Sequence, residues 1–256
     1  MRKMVEVHKG DNMSIFEELE PRSFGLIYMD PPFNTNKRRV DRLGSYDDNF
    51  NDYLGFIVPR LVACYDLLTS NGSLFLHLDH RESHYCKVEL DKIFGRDSFM
   101  NEIIWAYDYG GRSKRKWSAK HDTILWYAKD PKNYTFNFEE MDRIPYMAPG
   151  LVGPEKAKKG KTPTDVWWHT IVPTQGKERT GYPTQKPRGI IDRIVKVHSN
   201  QGDRLLDPFA GSGTLGESAV LLDREVVLID ENEEAIQVIS KRLSGLETKQ
   251  PREEEV

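Results

Sequence analysis

Apolar residues fall into short runs along the chain, and their spacing alternates between strand-like and helix-like. Residues 24–29, FGLIYM, form a continuous apolar run cut off by Asp30-Pro31-Pro32. This predicts a buried strand that ends abruptly in a loop, because proline cannot donate to a sheet ladder. From Tyr53 to Leu68 apolar residues recur at helical spacing, with Pro59 as a kink, and Asn71-Gly72 separates this helix from a strand SLFLHL at 73–78. A helix over 82–94 stops at Gly95, and the strand NEIIWAY follows at 101–107. The last quarter repeats the alternation, with helices predicted at 188–198, 214–222 and 232–243 and strands at 204–206 and 225–229. Such a sequence of elements defines an α/β, doubly wound domain.

Between the two alternating regions, residues 108–180 contain Gly110-Gly111, the basic run RSKRK, two predicted strands (HDTILWYAK and YTFNF) and a Pro, Gly and Lys-rich stretch. We read them as an insert with long loops. It divides one domain into halves at 1–107 and 181–246, and the charged tail at 247–256 is expected to be disordered.

Composition narrows the possibilities. A chain of 256 residues allows one large domain with an insertion. Its longest apolar stretches fall far short of the roughly 20 residues that span a membrane, so no membrane association is expected. Cys64 and Cys86 cannot build a disulfide framework, and the start turns polar before a signal core could form, which points to a reducing cytoplasm. The net charge of -3 hides an asymmetry, since residues 108–188 hold 16 Lys and Arg against 9 Asp and Glu. All five tryptophans lie in or just before this stretch. A basic, aromatic-rich insert on an acidic body is the footprint of a nucleic-acid reader. Within it Arg112, Lys114, Arg115, Lys116 and Trp117 are the candidate nucleic-acid contacts, with the cations on phosphates.

Two motifs carry chemistry. LLDPFAGSGTLG at 205–216 follows a strand and opens a helix, and Gly211, Gly213 and Gly216 satisfy G-x-G-x-x-G. A tight glycine turn lets backbone approach a nucleoside cofactor, and Asp230, at the end of the next strand, is placed to accept ribose hydroxyls. A nicotinamide dinucleotide and S-adenosylmethionine both use this geometry. The second motif, Asp30-Pro31-Pro32-Phe33, resembles the catalytic motif of the amino-methyltransferases that modify exocyclic amines of DNA bases, which is Asp, Ser or Asn followed by Pro, Pro and an aromatic, and the resemblance implies the following chemistry. An exocyclic amine on a nucleobase is a poor nucleophile because its lone pair is delocalised into the ring. Acceptors on its two hydrogens push the nitrogen towards a tetrahedral, localised lone pair. Asp30 can supply one acceptor and the carbonyl of Pro31 the other, while Phe33 stacks on a base swung out of the helix.

With DPPF, the glycine motif, GDN at 10–12, YPTQKP at 182–187 and GSLFLHLDHRESHYCKVELDKIFG in this order, the chain resembles the β-class amino-methyltransferases of DNA. It is most similar to N6-adenine enzymes such as type III modification subunits and their small solitary relatives. The likeness spans residues 4–243, with Tyr182 where His is usual, Leu215 where a second Thr is frequent, and Phe33 where Tyr is commoner. It implies a Rossmann-like methyltransferase fold with a mostly parallel sheet, circularly permuted motif order and a small target-recognition insert. In the permuted order the N-terminal strand MVEVH rejoins the last helix, bringing Asp11 to Asp230 and Gly211. The resemblance further implies S-adenosylmethionine as cofactor, held by Asp11, Asp207, Phe209, Gly211, Ser212, Gly213, Thr214, Asp230, Thr184 and Lys186. Its implied substrate is adenine N6 in double-stranded DNA, reached by base flipping; N4 of cytosine is the alternative, as is a silent DNA-binding module. A homodimer and a cognate restriction endonuclease are the implied partners. His80 and His84 at i, i+4 near Cys86 imitate a zinc site, but the resemblance places the end of this strand at the catalytic cleft, and no metal is expected.

Overall fold

The computed structural model describes residues 4–246, and the tail expected at 247–256 lies outside the described residues. Its strands are β1 (Val5–Lys9), β2 (Phe24–Met29), β3 (Lys37–Asp41), β4 (Gly44–Asp48), β5 (Leu68–Leu78), β6 (Phe99–Ala106), β7 (His121–Ala128), β8 (Val166–Trp168), β9 (Arg204–Asp207) and β10 (Glu225–Asp230). The helices are α1 (Asn12–Phe16), α2 (Tyr53–Leu67), α3 (Ser83–Phe94), α4 (Pro154–Lys159), α5 (Arg188–His198), α6 (Thr214–Leu221) and α7 (Glu233–Leu243). Eight strands form one sheet in the order β1-β10-β9-β2-β5-β7-β6-β8, in which β7 alone runs against its neighbours. β3 and β4 make a separate hairpin.

Successive strand residues face opposite sides of a sheet. Leu26 and Tyr28 of β2 therefore enter a core with Ile190, Ile194, Leu215 and Ile239, beneath α5, α6 and α7. Ile27 and Met29 enter another with Ile57, Leu61 and Leu90, beneath α1, α2 and α3. Burial on both faces is why the strand reads as an unbroken apolar run. Cys64 and Cys86 are buried free thiols in the second core, and burial pushes both thiols up.

The permutation is visible in the pairing, since β1 lies parallel to β10 with Val5 opposite Val226. Taken cyclically, β9, β10 and β1 step outward on one side while β2 and β5 step outward on the other. β9 and β2 thus flank the place where the winding reverses, and ligands of open α/β sheets bind at the carboxyl ends of strands there.

Three expectations change. HDTILWYAK does not belong to an insert; its strand, β7, fills the sheet between β5 and β6, so the span 108–180 is divided by core structure. YTFNF forms no strand, and Tyr134 and Phe136 instead pack their rings on Trp126. Asn71-Gly72 does not precede the strand either. β5 starts at Leu68, opposite Phe24, but Leu26 stands opposite Ser73, so residues 69–72 bulge from the ladder.

His198, at the end of α5, is buried against Phe75, Trp126 and Phe136, and its Nδ1 has no partner. Burial pushes the imidazole down to about 3, while a bond to the Thr135 backbone opposes this. The unfolded chain takes up this proton below its ordinary value and the native state does not. The stability that depends on neutral His198 is therefore present above about pH 6.5 and is lost progressively on acidification, by about 2 kcal/mol at pH 5. Urea unfolding of wild type and His198→Phe at pH 8 and pH 5 should show the acid loss reduced by that amount in the variant. Equal losses would remove His198 as the cause.

Candidate active site

The cofactor half is built at the ends of β9, β10 and β1. β9 ends in Asp207, and the chain then turns through Phe209, Gly211, Ser212 and Gly213 into α6. Gly213 stands at φ +72, and a Cβ there would lie 2.9 Å from Ile239 Cγ1. At Gly216 a Cβ would meet Leu228 Cδ1 at 2.6 Å, so glycine lets α6 pack closely on β10. Asp230 ends β10 and holds the turn, accepting from the backbone N–H of Gly211 at 2.7 Å and of Asn232 at 2.9 Å. Next to it, Gly10 N–H donates to the Asp230 carbonyl at 3.1 Å. Asp11 follows, caps α1 through Met13 N–H at 3.1 Å, and accepts from Arg60 Nη2 at 3.0 Å.

The catalytic half meets it at the end of β2. Asp30 faces the same cavity, of about 690 Å³, that Asp11, Thr184, Lys186, Asp207, Phe209, Gly211, Ser212, Thr214 and Asp230 line. Both Asp30 oxygens accept from Lys186 Nζ, at 2.6 and 2.5 Å. The same ammonium stands 4.8 Å over the Phe33 ring, which stacks on His77 at 5.9 Å. His77 is fully buried; its Nδ1 bonds Tyr28 Oη at 2.7 Å and its Nε2 bonds Asp122 at 3.1 Å. Tyr107 Oη donates to the other oxygen of Asp122 at 3.0 Å. Burial raises the Asp122 carboxyl, but the hydrogen bond and close approach of His77, with Lys186 and Tyr107 adding to them, outweigh it and leave it below the usual range. The backing of the DPPF loop is thus a bonded polar chain from Tyr28 of β2 through His77 of β5 and Asp122 of β7 to Tyr107, which follows β6.

Several expected residues make contacts that the sequence does not announce. Lys186, expected at the cofactor, directs its ammonium to Asp30. Asp30 and Pro32 line the cavity, while Pro31 and Phe33 do not; Phe33 spends its ring on His77 and Lys186. Gly213 is not in the lining and serves the turn. Of the paired tryptophans in β8, which point to opposite faces of the sheet, Trp167 is buried and donates to Thr164 O, whereas Trp168 is exposed. Arg112, Lys114, Arg115, Lys116 and Trp117 lie together on an exposed loop between β6 and β7, with Trp117 98% exposed and Arg112 paired to Asp108.

Sequence reading missed Arg60, Tyr28 and the β3–β4 hairpin, whose Ser45, Tyr46 and Asp47 wall the cavity. Arg60 carried one signal: it follows Phe56 at i, i+4, and its guanidinium stacks 4.0 Å from that ring.

The lining holds six carboxylates (Asp11, Asp30, Asp47, Asp207, Asp230 and Glu231) against two cations, Arg60 and Lys186, each already paired to one of the six. Burial, with Asp30 and Asp230 nearby, drives the Asp207 carboxyl well above its usual range, and burial raises Asp230 too. Neither cation of the lining is left unpaired to meet a pyrophosphate, so the residues fit a cofactor that brings its own positive charge, as S-adenosylmethionine does on its sulfonium and ammonium groups.

A glycine turn beside an acidic cavity, with a carboxylate at the winding reversal, is the arrangement of the Rossmann-like methyltransferase class. The profile of the DNA methylase family, which takes in N6 and N4 methyltransferases, matches residues 24–241, and the chain belongs to that family. It is 36% identical over 231 residues to Type II methyltransferase M.HpaI of Haemophilus parainfluenzae, covering 90% of this chain and 71% of that one. To DNA adenine methyltransferase YhdJ of Escherichia coli (strain K12) it is 29% identical over 248 residues, 91% of this chain and 81% of the relative. The fold is shared with the M1.HpyAVI–SAM complex, at TM-score 0.66 and 21% identity over 93% of this chain and 98% of the other. It is also shared with the cytosine-N4-specific PvuII DNA methyltransferase, at TM-score 0.71 and 14% identity over 93% and 86%. Among the described residues no helix is long and apolar enough to cross a membrane.

Proposed function

We propose that this DNA methylase transfers a methyl group from S-adenosylmethionine to N6 of adenine in duplex DNA, acting on a base swung out of the helix. The observation that carries the reading is that Asp30 opens into the same cavity as the acidic cofactor half. When bound, S-adenosylmethionine supplies an electrophilic methyl group on a positively charged sulfur. Asp230 and Asp11 would hold its nucleoside, and the turn from Asp207 to Thr214 would carry the rest. Asp30 accepts a hydrogen bond from the target amine, localising the nitrogen lone pair as the N–C bond forms and the methyl–sulfur bond breaks, its electron pair staying on sulfur in a neutral thioether product; the methylated amine then releases its extra proton to solvent. The carboxylate stabilises the positive charge that develops on nitrogen before that proton leaves.

Adenine is favoured by Asp, rather than Ser, at residue 30 and by likeness to a relative named as a DNA adenine methyltransferase. Relatives named as Type II methyltransferases support a place beside a cognate restriction endonuclease. Incubation with tritiated cofactor and plasmid DNA, followed by nucleoside digestion, should give label in N6-methyladenine. Label in N4-methylcytosine would move the target to cytosine, and cofactor binding without incorporation would mark a silent DNA-binding module.

The basic loop 112–116 is assigned to phosphate contact. Replacing Arg112, Lys114, Arg115 and Lys116 by Ala should weaken binding to all sequences alike and lower the salt slope by about 0.9 for each phosphate that is no longer neutralised. A variant that changes which site is methylated, at unaltered salt dependence, would show instead that the loop reads bases.

A further inference from the structure

Lys186 is buried, and the carboxylate of Asp30 receives its ammonium on both oxygens. Removing an ammonium from water is costly unless it is paired and bonded, so this placement is held by the surrounding structure. The backbone shows how. Thr184, two residues earlier, stands at φ +56, a conformation that β-branched residues avoid. The turn is fixed by Gln185 Oε1, which accepts from Thr180 N–H at 2.8 Å, and by Gln185 Nε2, which donates to Glu178 O at 2.7 Å. A strained turn persists only where its surroundings over-determine it. The Lys186 carbonyl accepts from Thr214 Oγ1 at 3.2 Å, and Thr214 opens α6 and lines the cofactor half of the cavity. Arg242 Nη1 in turn donates to Thr214 Oγ1 at 3.0 Å. One residue therefore spans from the cofactor turn, through its backbone, to the catalytic carboxylate, through its side chain.

An ionised carboxylate offers about four lone-pair sites. Lys186 occupies one on each oxygen, which leaves a free site on each and prevents the group from rotating. We propose that Lys186 is a positioning residue, a strut from the cofactor turn to Asp30 that fixes the carboxylate so that its free lone pairs meet the target amine. The strut also sets a condition on catalysis, because displacement of the α6 N-terminus would displace the acceptor with it. The inference rests on the assignment of Asp30 as the amine acceptor.

The test is a double-mutant cycle on DNA methylation, read as kcat and KM separately. Lys186→Met should lower kcat by about 10- to 100-fold while KM for cofactor and for DNA stays within about twofold, because misalignment of a reacting group acts on the transition state. Lys186→Arg, which can bridge a carboxylate, should retain more of kcat than Met and covers the case in which Met does not fold. In an Asp30→Asn background the same Lys186→Met change should cost far less, since the partner charge is gone. A raised cofactor KM with kcat unchanged would return Lys186 to cofactor binding and overturn the strut. A loss of equal size in both backgrounds would overturn it as well, showing general structural damage. Failure of the wild type to methylate DNA would overturn the functional reading and the strut together, whereas an active wild type matched by Lys186→Met would overturn the strut alone.

Discussion

Asp30→Ala is expected to lower kcat by about 100- to 1,000-fold, corresponding to about 3 to 4 kcal/mol, by analogy with deleting one preorganised hydrogen-bonding group in a water-poor site. Cofactor and DNA affinity should stay close to wild type, because the carboxylate acts most strongly on the amine as positive charge develops there. That makes it a transition-state interaction. Asp30→Ala also strands the buried Lys186 ammonium, so its fold is to be confirmed by a thermal transition before its rate is interpreted. Asp30→Asn separates the effects. Its amide oxygen still accepts from Lys186 or from the amine but carries no charge, so it should retain more activity than Ala.

The second large effect is expected at Asp230. Its carboxylate does two jobs at once: it lines the cofactor cavity, and it ties the Gly211 and Asn232 N–H groups at 2.7 and 2.9 Å. Asp230→Ala should weaken S-adenosylmethionine binding by about 1 to 3 kcal/mol, the cost of leaving buried hydrogen-bonding groups unmatched. The loosened glycine turn places the expected value towards the upper end. Titration calorimetry on the folded variant measures it directly, with DNA affinity as the control. An unchanged cofactor affinity would take Asp230 out of the pocket.

Much of this site is legible in the sequence, for reasons specific to its residues. Asp30-Pro31-Pro32 both ends a strand and resembles a catalytic motif, so the end of β2 and the carboxylate that opens into the cavity are found together. α5 is legible at both ends because its apolar residues keep helical spacing and the chain turns at Asn200. The cyclic meeting of Asp11 and Asp230 follows from motif order. What the sequence conceals depends on partners distant in the chain. β7 has the composition of any buried strand, and nothing local says that it inserts between β5 and β6. The β3–β4 hairpin is charged, KRRVD against GSYDD, and so lacks the apolar alternation that announces a strand. The aim of Lys186 is set by the backbone at Thr184 and by Asp30, 156 residues away, and neither leaves a mark on the spacing of YPTQKP.

The most direct measurement compares plasmid DNA from cells expressing the wild-type protein and Asp30→Ala, sequenced at single-base resolution for modified positions. N6-methyladenine at one fixed sequence context with wild type, and its loss with a folded Asp30→Ala, is the expected result. Wild-type and Asp30→Ala plasmids carrying the same modification would contradict the assignment of Asp30 as the acceptor. Unmodified DNA from cells with abundant, cofactor-binding wild-type protein would contradict the proposed DNA methyl transfer itself.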